Sequence, residues 1–192
     1  MSRQRPDVPR AAGGAPEASD PEIMRRLASG ESGALGELYD RYHEAIRRFI
    51  ARATSDAEDV DDLVHAAFLA AATSAGRYDG RDCCRPWLIG IAVQHLRRRH
   101  QARGRFFAAL GALAGAGRRV VDPGPALHAR GDVERALRLI SEPKRVALLM
   151  AEVEEMSCPE IATALRIPIG TVWTRLHAAR RELRVLLTGG EP

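Results

Sequence analysis

The chain has 192 residues, enough for one compact domain or two small ones joined by a linker. Hydrophobic residues make up 45% and aromatics only 5%, with few β-branched positions, which argues against a large sheet and for helical cores. With 29 basic and 25 acidic residues the net charge is only +4, so its distribution matters more than its total. Seven arginines and no acid fall between residues 95 and 121, whereas four glutamates and no base fall between 152 and 160. Such segregation makes one cationic and one anionic surface, and polyanions are the usual partners of the first. Cys83, Cys84 and Cys158, odd in number and two of them adjacent, make no disulfide framework and fit a reducing cytoplasm. No apolar run of about 18 residues suggests insertion in a membrane.

In chain order, residues 1–19 are rich in Pro, Gly, Ala and Arg, lack an apolar signal-peptide core and are expected to be a disordered tail. Asp20-Pro21-Glu22 predicts a helix start with Asp20 as N-cap, and that helix ends near Gly30. Ser32 opens a longer helix whose stripe is Leu35, Leu38, Tyr39, Tyr42, Ile46, Phe49 and Ile50. Asp56 and Asp59 are expected to cap a third, carrying Val60, Leu63, Val64, Ala67, Phe68 and Ala71 inward. After a polar loop over 76–86 comes a fourth helix, with Trp87, Leu88, Ile91, Ala92 and His95 or Leu96 inward, running out into Arg97-Arg98-Arg99. The expected first domain spans 20–103.

Residues 104–131 have weak periodicity, glycines and prolines, and are expected to form a linker. A second domain over 132–187 follows, ahead of a short tail over 188–192. Val133, Ala136, Leu137 and Ile140 form one stripe; Val146, Leu149, Met150 and Val153 form another. Ser157-Cys158-Pro159-Glu160 is a capping box opening a short helix, and a turn at Arg166-Ile167-Pro168 leads to a last helix with Val172, Leu176, Ala179 and Leu183 inward. The fold class is all-α, two small helical domains joined by a flexible linker.

Two short helices joined by a tight turn have the form of a helix-turn-helix, whose second helix enters the major groove. Thr171, Trp173, Thr174, Arg175, His177 and Ala178 are left outward to reach bases or phosphates, with Arg180, Arg181 and Arg184 toward the backbone. An ordinary helical hairpin with a solvated arginine face is the plainer alternative. On the fourth helix, Arg85, Trp87, Gln94, Arg97, Arg98, Arg99 and Arg103 combine an aromatic with donors and cations, a mixture suited to unstacked single strands. Taken alone, that stretch reads better as a core tryptophan beside a solvated arginine run. Cys83 and Cys84 make a poor chelate without partners at set spacing, and Cys158 reads as a packed small residue. No catalytic set, metal set or cofactor motif stands out.

Asp62-Leu63-Val64-His65-Ala66-Ala67-Phe68 and Arg85-Pro86-Trp87-Leu88-Ile89-Gly90-Ile91-Ala92 resemble the core segments of domain two in extracytoplasmic-function (ECF) sigma factors of the sigma-70 family. Ser157 to Ala162 and Ile167 to Arg180 resemble their domain four, and the likeness runs from about Asp20 to Leu187. The resemblance implies a non-enzymatic sigma factor that binds RNA polymerase core and promoter DNA, with an anti-sigma factor as a further partner. It implies that Asp61, Asp62, Leu63 and Phe68 dock on the polymerase clamp. The loop over 76–86 and the next helix would hold the melted minus-ten element, and domain four would read the minus-thirty-five duplex. Arg166 stands where such proteins usually have glycine, and a positive φ there costs about 1 kcal/mol. Trp173 and Ala178 stand where basic residues are common. A stand-alone helix-turn-helix regulator of duplex operators, or a sigma-like decoy that titrates polymerase, remains the alternative on these residues.

Overall fold

The computed structural model describes residues 18–80, 82–114 and 129–188. Among them the secondary structure is entirely helical: α1 (Asp20–Ala28), α2 (Ser32–Ala53), α3 (Val60–Ser74), α4 (Arg85–Ala114), α5 (Ala129–Leu139), α6 (Glu142–Glu152), α7 (Cys158–Leu165) and α8 (Ile169–Thr188). Short 3-10 turns at Ala57–Asp59 and Ala75–Arg77 flank α3. No helix among the described residues is long and apolar enough to cross a membrane.

Helices α1 to α4 form the first unit. Ile23, Met24, Leu38, Ile46, Ile50, Leu88 and Ile89 are each no more than 2% exposed, and α3 supplies Leu63, Val64, Ala67 and Phe68 between them. Each of these side chains larger than alanine contributes about 1.5–3 kcal/mol by leaving water. The second unit, α5 to α8, closes on Ile140, Val146, Met150, Ile161, Leu165, Val172 and Leu176.

Local starts differ from expectation where a side chain has a better partner. The N-cap of α1 is Ser19, whose Oγ accepts from Glu22 N at 3.4 Å, while Asp20 turns inward. Asp59 occupies the N-cap position of α3 and Asp56 that of the preceding 3-10 turn, but neither side chain makes a capping hydrogen bond; Thr54 Oγ1 accepts from Asp56 N at 3.1 Å, and the two aspartates face arginines of α4. Val133 and Val153, expected inward, are 43% and 42% exposed.

The first part of the expected linker is helical. Helix α4 continues through residues 104–114, because the arginine, phenylalanine, alanine and leucine that surround Gly104 and Gly111 are adequate helix formers, and isolated glycines cost only about 1 kcal/mol each. The expected tail over 1–17, the stretch 115–128 and residues 189–192 lie outside the described residues.

The two units are packed against each other, and their buried side chains form one continuous cluster. Helix α7 crosses α4 where Gly90 meets Ala164: a Cβ at Gly90 would lie 3.2 Å from that of Ala164, so the missing side chain permits the approach. Helix α6 meets the end of α2 through Arg145, which is 3% exposed.

Candidate nucleic-acid interface

The loop that leads into α4 is anchored by a buried carboxylate. Asp20, 5% exposed, accepts from Tyr42 Oη at 2.5 Å, from Cys84 N at 2.7 Å and from Arg41 Nη1 at 2.7 Å. Burial pushes its pKa up, but the three donors together outweigh that and hold it below the ordinary aspartate value. Cys84 is buried, and burial followed by the Asp20 charge pushes its thiol pKa far up, so it is a structural residue. Cys83 is exposed, its Sγ 3.8 Å from Tyr42 Oη. Among the described residues no group of three His, Cys, Asp or Glu side chains is placed to hold a metal ion.

Along α4, Leu88, Ile89, Ala92, Val93 and Leu96 face the core. Trp87 is half-buried rather than fully inward, its ring set edge-on to Tyr78 with centroids 5.5 Å apart. With Gln94, Arg98, Arg77, Glu160 and Arg166 it lines a cavity of about 440 Å³ between the two units. Desolvation, and then the Arg98 charge, lowers the pKa of His95 in the same wall.

The arginines expected on this face have separate fates. Arg98 is exposed, while Arg99 pairs with Asp59, and Arg103 with Asp56 and Asp59. Hydrogen bonding to Arg99 chiefly holds the Asp59 carboxyl below its usual range. Arg97 donates from Nη1 to the carbonyl of Leu165 at 3.0 Å. Arg85 Nε stands 2.7 Å from Glu154 Oε2, whose side chain is 4% exposed, but the N–H is misdirected and neither atom completes a hydrogen bond. The contact is therefore Coulombic.

In the second unit the capping box is present: Ser157 N donates to Glu160 Oε2 at 2.8 Å, and α7 starts with proline in its first turn. Arg166 adopts φ 53° and ψ 51°, the left-handed cap that a glycine would take more cheaply, and Ile167 N donates back to Ala162 O at 3.1 Å. Val172, Leu176 and Ala179 then bury one side of α8. Trp173 is 58% exposed, and His177 and Arg181 are exposed too. Thr171 and Ala178 are half-buried; Thr174 spends its hydroxyl on Gly170 O at 2.9 Å. Arg180 pairs with Glu152 at 2.7 Å, and Arg175 is half-buried, its pKa lowered by desolvation and then by the Arg97 charge.

Of the four residues expected to dock on polymerase, Asp61 and Asp62 are exposed, with Asp61 3.2 Å from Arg47. Leu63 and Phe68 are corrected to core positions: they are 5% and 3% exposed, and the Phe68 ring lies 4.9 Å from that of Tyr39. The outer face of α3 instead carries Leu69, 63% exposed. Its spacing, seven positions after Asp62 and four after His65, was the available signal.

Two family descriptions match these units separately: Sigma-70 region 2 over residues 38–106, and Sigma-70 region 4 over residues 130–183. The RNA polymerase sigma factor CarQ of Myxococcus xanthus is 30% identical over 167 residues, covering 85% of this chain and 95% of the relative. The sigma factor CnrH of Cupriavidus metallidurans is 30% identical over 183 residues, covering 90% and 96%. The chain belongs to the sigma-70 family, as an ECF-type sigma factor. Sigma-E of Escherichia coli is 26% identical over 86% of the chain and 92% of the relative. The sigma factor's fold is also shared with two solved structures. One is the sigma factor RpoE in complex with the anti-sigma factor NepR from Bartonella quintana (TM-score 0.65, 22% identity, 80% of this chain and 96% of that one). The other is CnrH in complex with the cytosolic domain of CnrY (TM-score 0.62, 24% identity, 90% and 99%). A sigma factor of this kind directs RNA polymerase core to promoters and initiation.

Proposed function

We propose that the sigma factor divides promoter recognition between its two helical units. The α1–α4 unit, over residues 20–103, takes the opened minus-ten strand on α4 and the polymerase clamp on the outer face of α3. The α5–α8 unit, over 132–187, inserts α8 into the minus-thirty-five duplex. Trp87, Gln94, Arg85 and Arg97 to Arg99 serve the strand; Thr171, Trp173, Thr174, Arg175, His177, Ala178, Arg180 and Arg181 serve the duplex. Asp61 and Asp62, joined by Leu69, serve the clamp. The observation that carries this reading is α8 itself: Val172, Leu176 and Ala179 bury one face, while Trp173, His177 and Arg181 stand in solvent on a helix entered through a tight left-handed turn.

The chain acts without cofactor or catalysis of its own, in the cytoplasm where its polymerase works. Because RpoE is seen in complex with the anti-sigma factor NepR, a partner of that class is also proposed here. Gel shifts on a promoter duplex with and without core polymerase test the assignment. Specific binding only with core supports it, and tight sequence-specific binding by the free chain would favour a stand-alone regulator. A pull-down returning only core subunits under all conditions would count against the anti-sigma partner.

A further inference from the structure

We infer that the sigma factor reads its upstream element through the C5-methyl groups of thymines, with Trp173 as the residue that selects them. This deepens the assignment of α8 to the minus-thirty-five duplex and rests on it. At about 100° per residue, Val172, Leu176 and Ala179 fix the buried side of α8. The opposite side is then formed by Gly170, Thr174, His177 and Arg181, with Trp173 beside them. Trp173 is 58% exposed, and Gly170, Thr174 and His177 are exposed too. Ile169, one turn before Trp173, is 38% exposed. The first half of the helix thus offers a broad indole and no exposed arginine or lysine.

Bases differ in what they show to the major groove. Guanine offers two acceptors, best met by the paired donors of arginine or lysine, whereas thymine alone carries a methyl. Between Ile169 and Ala179 there is no lysine and one arginine, Arg175. Arg175 is half-buried on the flank of the helix toward Arg97, which suits it to the phosphate wall of the groove rather than to base edges. Arg180 is held by Glu152. The Thr174 hydroxyl gives its proton to Gly170 O at 2.9 Å and has none left for a guanine acceptor. Indole has a single N–H, so Trp173 makes no bidentate contact either. What remains for readout is apolar surface, and the thymine methyl is its match. Gly170 adds to this: a Cβ there would meet no protein atom within 4 Å, so packing does not call for glycine, and the missing side chain leaves room for a base edge beside Trp173. Arg181 and Arg184, further along the same side, are exposed and supply phosphate contacts.

The test uses holoenzyme reconstituted from core polymerase and the full chain, which selects promoter duplexes carrying a randomised upstream element. The selected element should contain thymine at the position that Trp173 meets. Replacing each selected thymine in turn with deoxyuracil deletes only the methyl. At the Trp173 position this should weaken binding about fourfold, the loss expected for one buried methyl. With Trp173→Ala holoenzyme, whose unfolding midpoint is measured alongside, the same replacement should cost nothing. Trp173→Arg should move the selected base at that position from thymine to guanine. Deoxyuracil that is harmless at every thymine, or equally harmful with Trp173→Ala, would overturn the inference while leaving α8 on the duplex. A selection that returns no upstream element would overturn the assignment of α8, and the inference with it.

Discussion

Arg145 of α6 donates through Nε to the carbonyl of Ala53, the last residue of α2 and 92 positions earlier in the chain. The same guanidinium reaches Leu137 O at 3.2 Å, Arg138 O at 3.3 Å and Ser55 Oγ at 3.3 Å. It thus satisfies carbonyls at the ends of two helices, one in each unit, where no intrahelical donor remains.

Arg145→Met is therefore expected to leave at least two buried carbonyls unpaired. About 2–4 kcal/mol of stability should be lost, measured by urea denaturation, with the isolated second unit losing less than the whole chain. Equal losses would mean that the contact to Ala53 contributes nothing.

Asp20 predicts a pH dependence. Its folded pKa lies below the unfolded value of about 3.9, so its contribution is present above that value and is lost as pH falls through the lower, folded pKa. Wild-type protein should accordingly release the loop around Cys84 only in strong acid. Asp20→Asn weakens the acceptor at every pH, and should expose the Cys84 thiol to maleimide at neutral pH while wild type stays protected. Equal protection would remove Asp20 as the anchor.

On α3 the corrected positions separate folding from docking. Leu63→Ala and Phe68→Ala should each destabilise the fold by about 2–5 kcal/mol, because they open cavities in a close-packed core. Asp62→Ala and Leu69→Ala should change stability by less than about 0.5 kcal/mol. Those two should instead weaken association with core polymerase in a competition assay. Unimpaired core binding by both would remove the outer face of α3 from the docking surface.

The two tryptophans give contrasting expectations. Trp173 is 58% exposed, so Trp173→Ala should leave the unfolding midpoint almost unchanged and weaken minus-thirty-five duplex binding by the holoenzyme. Trp87 is half-buried against Tyr78, so Trp87→Ala should both destabilise the first unit by about 1–3 kcal/mol and impair strand opening. Trp87→Phe should restore most of the stability. Restored opening along with it would reduce Trp87 to a packing residue.

Elements set by local chemistry were legible in the chain. The stripes of α2, α3 and α8 follow from apolar spacing and the Ser157–Glu160 capping box from four adjacent residues, while the left-handed Arg166 was signalled only by the resemblance, which puts glycine there. What escaped were contacts between distant segments. Asp20 looks like an N-cap until Tyr42, Arg41 and the Cys84 amide converge on it. Arg145 looks like a surface residue of an amphipathic helix until α2 ends beside it, and Glu154 looks solvated until Arg85 faces it. Leu63 and Phe68 were placed on the docking face by resemblance, although their spacing with Val60, Val64 and Ala67 already marked the core. The division between cationic and anionic segments was visible in composition; that Arg99 and Arg103 would turn to Asp59 and Asp56 within the first unit was not.

The most direct measurement of the central claim is run-off transcription from a genomic library with core polymerase, with and without the purified chain, reading every start site. The account predicts chain-dependent starts that share two separated upstream motifs, the downstream one lost on substitution of α4 and the upstream one on substitution of α8. Starts that do not depend on the chain, or a chain that binds core yet produces none, would contradict it.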